Sequence, residues 1–182
     1  MGRSTITVAL VAVTLFSATT ASAAGLMGSN VTLGIYAPDT STLVQSQGSA
    51  TVTAAVEYPS IGQEVVNNVV VGPAWTSDIG NTTIELVEVG SLNVLASGQF
   101  HGFIYTFTGA PAIASVSLDA SSTLVPVSLW SSSNSVFVDY AGMVISGPKT
   151  TLINLTFVPE PSTISLCGVI FGCCLLRSRR RR

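Results

Sequence analysis

Basic side chains are nearly missing from the body of this 182-residue chain. Of its seven lysines and arginines, Arg3 lies at the start and Arg177, Arg179, Arg180, Arg181 and Arg182 lie at the end. Between them Lys149 stands alone against eight acids, Asp39, Glu57, Glu64, Asp78, Glu85, Glu88, Asp119 and Asp139. An acidic body repels a phosphate backbone, so nucleic acid is not an expected partner. Cysteine is also absent from the body, because Cys167, Cys173 and Cys174 all lie near the C-terminus. That excludes a disulfide scaffold, and a hydrophobic core must hold the domain together. A body of roughly 135 residues is long enough to supply one.

Histidine is represented only by His101. With no body cysteine beside it, no zinc or copper site and no cofactor is expected. A Ser-His-Asp arrangement would have to join His101 to Ser97 or Ser117 and to Asp119 or Asp139. No G-x-S-x-G elbow supports that grouping, and His101 reads better as a half-exposed strand residue. No EF-hand or nonapeptide calcium motif is present, which leaves Asp39, or Asp78 with Asn81, as solvated loop groups. Glu85 and Glu88 are three residues apart. On an unbroken strand they face opposite sides and make a poor glycosidase pair.

Long runs of charge are missing too: charged residues make up 9% of the chain against 47% apolar ones, the reverse of a disordered composition. The start, "MGRSTITVALVAVTLFSATTASAAG", has a basic n-region at Arg3 and an apolar core over residues 6–16. Small residues at Ala21 and Ala23 then suit a signal peptidase, with cleavage expected after Ala23. At the other end, "VPEPSTISLCGVIFGCCLLRSRRRR" joins Pro159-Glu160-Pro161 to a charge-free run over residues 162–176 and then to five arginines. As a helix that run would reach about 22 Å, short of a bilayer core of about 30 Å. Local thinning and snorkelling by Arg177 would make up the difference. The arginines stay on the cytoplasmic side and the body lies outside, the orientation the leader also imposes. Two separate ends give one topology.

Pro159 and Pro161 lack backbone N–H groups and favour extended geometry, so they hold Glu160 on a stiff segment shaped for a protease groove. This order of Pro-Glu-Pro, apolar run and arginine cluster resembles the PEP-CTERM sorting tail over residues 158–182. The resemblance implies recognition by an exosortase, a membrane thiol transpeptidase that removes the helix and passes the protein outward. The short run and the adjacent Cys173 and Cys174 depart from the usual pattern.

Between the two ends, short β-rich runs recur, bounded by Gly, Pro, Ser, Asn and Asp. The expected strands are "NVTLGIY", "SATVTAAVEY", "EVVNNVVVG", "TTIELVEVG", "GFIYTFTG", "AIASVSLD", "TLVPVSLW", "SVFVDYAG", "MVISG" and "TTLINLTF". Phe103, Tyr105 and Phe107 share one face, and so do Val136, Val138 and Tyr140, with Asp139 on the reverse. Ile153, Leu155 and Phe157 line up opposite Asn154 and Thr156. "SSSN" and "SGPK" read as hairpin loops. The pattern predicts an all-β fold over residues 24–157, a β-sandwich with jelly-roll-like connections, between a signal peptide at 1–23 and the tail. The order "VTLGIYAPDTSTL", "VEY", "GQFHGFIYTFTGAPAIASVSLD", "VFVDYAG" and "TLINLTF" is similar to a β-rich module found just upstream of PEP-CTERM tails. That module implies no activity.

Trp75 follows "VGPA" in an expected loop and is the candidate platform for a sugar ring; Trp130, next to "SSSN", suits either core or rim. The N-x-S/T matches at Asn30, Asn81 and Asn154 carry no weight for a bacterial export product. The expected function is that of an exported cell-surface or extracellular-matrix protein, with a structural or interaction role rather than an enzymatic one. It is tethered at the inner membrane before its release to the surface. Its expected partners are the export machinery with signal peptidase, an exosortase-like protease, the membrane and, as an open option, extracellular polysaccharide. A carbohydrate-binding sandwich and an extracellular hydrolase are the alternatives.

Overall fold

The computed structural model describes residues 25–159 apart from 63, 67, 68, 73 and 91. The leader with Ala21 and Ala23, and the tail from Glu160 through the arginines, lie outside the described residues. The first half of the fold comprises β1 (Asn30–Tyr36), β2 (Leu43–Thr51), β3 (Tyr58–Ile61), β4 (Glu64–Val66), β5 (Val69–Gly72), β6 (Trp75–Ile79) and β7 (Thr83–Glu88). The second half comprises β8 (Leu92–Val94), β9 (Gly102–Thr108), β10 (Ile113–Leu118), β11 (Ser128–Ser131), β12 (Ser135–Asp139), β13 (Val144–Ser146) and β14 (Lys149–Phe157). The described fold is all-β, with no helix among the described residues.

Two antiparallel five-stranded sheets face each other. One has the order β11-β12-β9-β1-β2 and the other β10-β14-β7-β6-β3. Each strand contributes alternate side chains to the space between them, as its pleat requires. From the first sheet come Val31, Leu33, Phe103, Tyr105, Phe107, Val136 and Val138; from the second come Trp75, Ile79, Ile84, Leu86, Ile153 and Leu155. Polar links also cross the gap. Tyr58 donates its hydroxyl to the Val31 carbonyl at 2.8 Å, and the Tyr105 hydroxyl meets Ser77 Oγ at 2.9 Å. Burial pushes the Tyr58 phenol up to about 12 and the Tyr105 and Tyr140 phenols higher still, because an ionised ring oxygen would have to leave water.

The expected faces of β9, β12 and β14 are found as read, with Phe157 half-buried at the strand's end. Several expected elements differ. "SATVTAAVEY" is not one strand: β2 ends at Thr51 and β3 begins at Tyr58, because Glu57 Oε1 accepts the Thr53 N–H at 2.7 Å and folds the chain between them. "EVVNNVVVG" divides into the paired strands β4 and β5 around residues 67 and 68. Of "TLVPVSLW" only the last three residues join β11, since Pro126 has no N–H for a ladder. "SSSN" does close the β11–β12 hairpin, with Ser132 N–H donating to Ser135 O at 2.9 Å. "SGPK" closes none: β13 pairs with β8, while β14 pairs with β10 and β7.

The polarity of the ladders gives the sandwich two distinct ends. β1, β12, β7 and β10 start at one end, where β2, β9, β11, β6 and β14 finish. Both ends of the described segment are at that pole. Leu26 N–H donates to Asn81 O at 2.8 Å, and Leu155 N–H donates to Thr82 O at 2.8 Å, so entry and exit are held by adjacent residues.

Candidate functional site

The residues of the hydrolase alternative can be followed individually. Asp139 is buried at the end of β12, where Oδ1 accepts the backbone N–H groups of His101 at 3.0 Å and Ala141 at 2.9 Å. Its Oδ2 accepts the Ser128 hydroxyl at 3.3 Å. The His101 ring lies instead against the Ala96 carbonyl, with Nδ1 at 3.3 Å. Asp139 therefore binds the histidine's main chain, and not its imidazole. Asp119 lies beyond the end of β10, on the other sheet, where it organises a turn. Its carboxylate accepts the Asn154 amide at 2.8 Å, the Ser121 N–H at 2.9 Å and the Ser121 hydroxyl at 2.7 Å. Those bonds, the Asn154 one foremost, hold the group down to about 2. Ser117 is exposed on β10 and Ser97 is exposed in the β8–β9 connection. The structure does not bring the five into one constellation.

Asp39 is also explained by local structure. Asp39 Oδ1 accepts the Ser41 N–H, the Ser41 hydroxyl and the Thr42 N–H at 2.7–2.9 Å, which keeps its carboxyl below the ordinary range, the Ser41 hydroxyl acting most. Asp78 sits on β6 directly opposite Glu85 on β7, and Asn81 Oδ1 accepts the Met27 N–H at 3.3 Å. Among the described residues no three metal-ligating groups cluster. Glu85 and Glu88 do face opposite sides of β7. Glu88 is fully buried, in register with Trp75 on β6 and Lys149 on β14.

Trp75 requires a correction. It opens β6 and is 3% exposed, so it is not a platform for any ligand. Phe103 meets it edge-on at 5.2 Å, and Tyr140 stacks at 5.5 Å. The indole is part of the core between the sheets, towards the end where β6 and β9 begin. Its position after Gly72 suggested a loop, but alternation from Trp75 through Ser77 to Ile79 is that of a strand.

The exposed aromatic is Trp130, at 37%. It projects from the outer face of β11, stacked on its cross-strand partner Phe137 at 5.0 Å and 1°. Phe100 meets it edge-on at 5.7 Å. The row continues through Ile104 on β9 to Gly34 on β1. A Cβ at Gly34 would meet the Tyr36 ring at 2.7 Å and the Leu43 side chain at 2.8 Å, so glycine lets both close over the strand. Phe100 is buried against this outer face, its N–H donating to Pro38 O at 2.9 Å. The outer face thus carries a second apolar layer, with Trp130 as its open rim. The signal was legible in "SVFVDY", where Phe137 occupies the face opposite Val136 and Val138.

No family model, curated protein or solved structure matches this chain. Among the described residues, no helix is long and apolar enough to cross a membrane.

Proposed function

We propose that the chain is an exported cell-surface or extracellular-matrix protein of structural or interaction role, released through its PEP-CTERM-like tail. The observation that carries this reading is where the folded domain stops and starts. Leu26, three residues past Ala23, is already buried, and β14 ends at Phe157, two residues before Pro159. The described fold occupies the interval between the expected leader and tail, and the leader and the tail from Glu160 lie outside the described residues. Glu160 and Pro161, the arginines Arg177, Arg179, Arg180, Arg181 and Arg182, signal peptidase and an exosortase-like protease keep their proposed roles. The chain passes between the sheets at β2–β3, β7–β9, β9–β10, β10–β11 and β12–β14, which supports the jelly-roll-like form of the sandwich. The test is export: fractionation of a producing cell should place the protein outside, and Glu160→Ala should trap a membrane-bound precursor. A cytosolic product would end the proposal.

A second reading, carbohydrate binding, is favoured by Trp130 and not by Trp75. Ring contacts on two sides fix the indole, and the described surroundings offer hydroxyls such as Ser128 with no cationic side chain nearby in sequence. A rigid aromatic plate of this kind suits the apolar face of a neutral sugar. Retention on polysaccharide beads that falls with Trp130→Ala would support this reading. Unchanged retention would remove it.

A further inference from the structure

We infer that the domain stands end-on against the lipid headgroups, through the pole from which both chain ends leave. The inference rests on the proposed insertion of residues 162–176 and adds which surface touches the membrane.

The link is short. The last described hydrogen bond near the exit is the Val158 N–H to Ala112 O at 2.8 Å. Four residue steps separate Val158 from position 162, and a fully extended chain covers at most about 14 Å in four steps. The headgroup layer on one side of a bilayer is itself roughly 6 Å deep. Once the headgroup layer is crossed at most about 8 Å of reach remains, so the exit pole is held within that distance of the surface and is the end presented to it. Gly25 enters at the same pole, so the leader, before its removal, would hold the same end down.

The chemistry of the pole agrees. Its connections are residues 25–29, 52–57, 80–82, 109–112 and 132–134, and among them only Glu57 is charged. That carboxylate is committed to the N–H groups of Thr53 and Ile79 at 2.7 and 2.8 Å. Asp39, His101, Glu88, Asp119, Asp139 and Lys149 all lie towards the opposite pole. The acidic pair Asp78 and Glu85 lies one register step from the exit pole, on the outer face of the second sheet, and makes that face unsuited to lying flat on anionic lipid.

The far pole supplies the rival. Val125 and Val144 are 62% and 65% exposed there, more than Val56 at 48% on the exit pole. If exposed apolar area alone governed contact, the far pole would touch lipid. The tether argues the opposite, and the two cases separate experimentally.

The full chain would be inserted into vesicles of phosphatidylcholine with phosphatidylglycerol and recovered by flotation. A photo-reactive side chain would replace Val56 or Ala112 on the exit pole, or Val125 or Val144 on the far one, and lipid adducts would be counted by mass spectrometry. Adducts at 56 and 112 should exceed those at 125 and 144 on the order of tenfold, since a nine-residue strand sets the far pole roughly 30 Å away. Inserting a Gly-Ser spacer of roughly 20 residues after Val158, with a reach of about 25 Å, should keep flotation and erase that preference. Flotation with equal adducts, or with more at the far pole, would overturn the end-on inference while leaving the anchor intact. Failure to float would overturn both.

Discussion

The bond between Tyr105 and Ser77 joins the two sheets through two fully buried side chains and is the sharpest test of the sandwich. In Tyr105→Phe the ring stays and only the phenol oxygen is lost. Ser77 Oγ then sits in an enclosure with no water to replace its partner, a cost of about 1–3 kcal/mol. Ser77→Ala strands the phenol in the same way, at a similar cost. With both changes neither oxygen is left stranded, and only the net worth of the bond disappears, about 1 kcal/mol. The double variant should therefore be more stable than the sum of the singles implies, by about 1–5 kcal/mol. Urea unfolding of the full chain, read by circular dichroism, measures all four corners of the cycle. If the single costs add to within about 0.5 kcal/mol, the hydroxyls do not depend on each other and the stated packing of the sheets is wrong.

Other outcomes follow from the same contacts. Trp75→Ala, which removes a large buried ring from the core, should cost about 3–5 kcal/mol in urea unfolding, whereas Trp130→Ala on the rim should cost no more than about 1–2 kcal/mol. A Cβ at Gly102 would overlap the Val138 carbonyl oxygen, so Gly102→Ala should destabilise by at least about 3 kcal/mol and lower the thermal midpoint. Tyr58, Tyr105 and Tyr140 are harder to ionise folded than unfolded. The Tyr58 contribution is complete below about pH 10 and is lost as pH rises towards about 12, so alkaline unfolding should weaken in Tyr58→Phe. Asp119 has the opposite sign: its folded value of about 2 lies below the ordinary one, so its contribution is present at neutral pH and is lost as pH falls towards about 2. Asn154→Ala should raise the Asp119 carboxyl in an NMR titration.

Strands with one apolar face were readable because alternation announces them, as in "NVTLGIY", "GFIYTFTG" and "TTLINLTF". β2 was missed because it is an edge strand that faces solvent on nearly every residue, with register breaks opposite Gly34 and Tyr36 that spoil any period. "SGPK" misled because glycine and proline report a turn and say nothing about which strand comes next. Trp75 is buried rather than in an exposed loop for a related reason. Local sequence shows where a chain bends, whereas burial of an indole depends on Phe103 and Tyr140, which lie far along the chain. The turn-forming work of Asp39, Asp119 and Asp139 depends on N–H groups that no motif advertises.

The most direct measurement is the intact mass of the protein recovered from outside a producing cell. A chain beginning near Ala24 and ending before Ser162, without Arg177, Arg179, Arg180, Arg181 and Arg182, is the predicted result. A full-length polypeptide, leader uncut and arginines present, held in the cytosol would contradict the account.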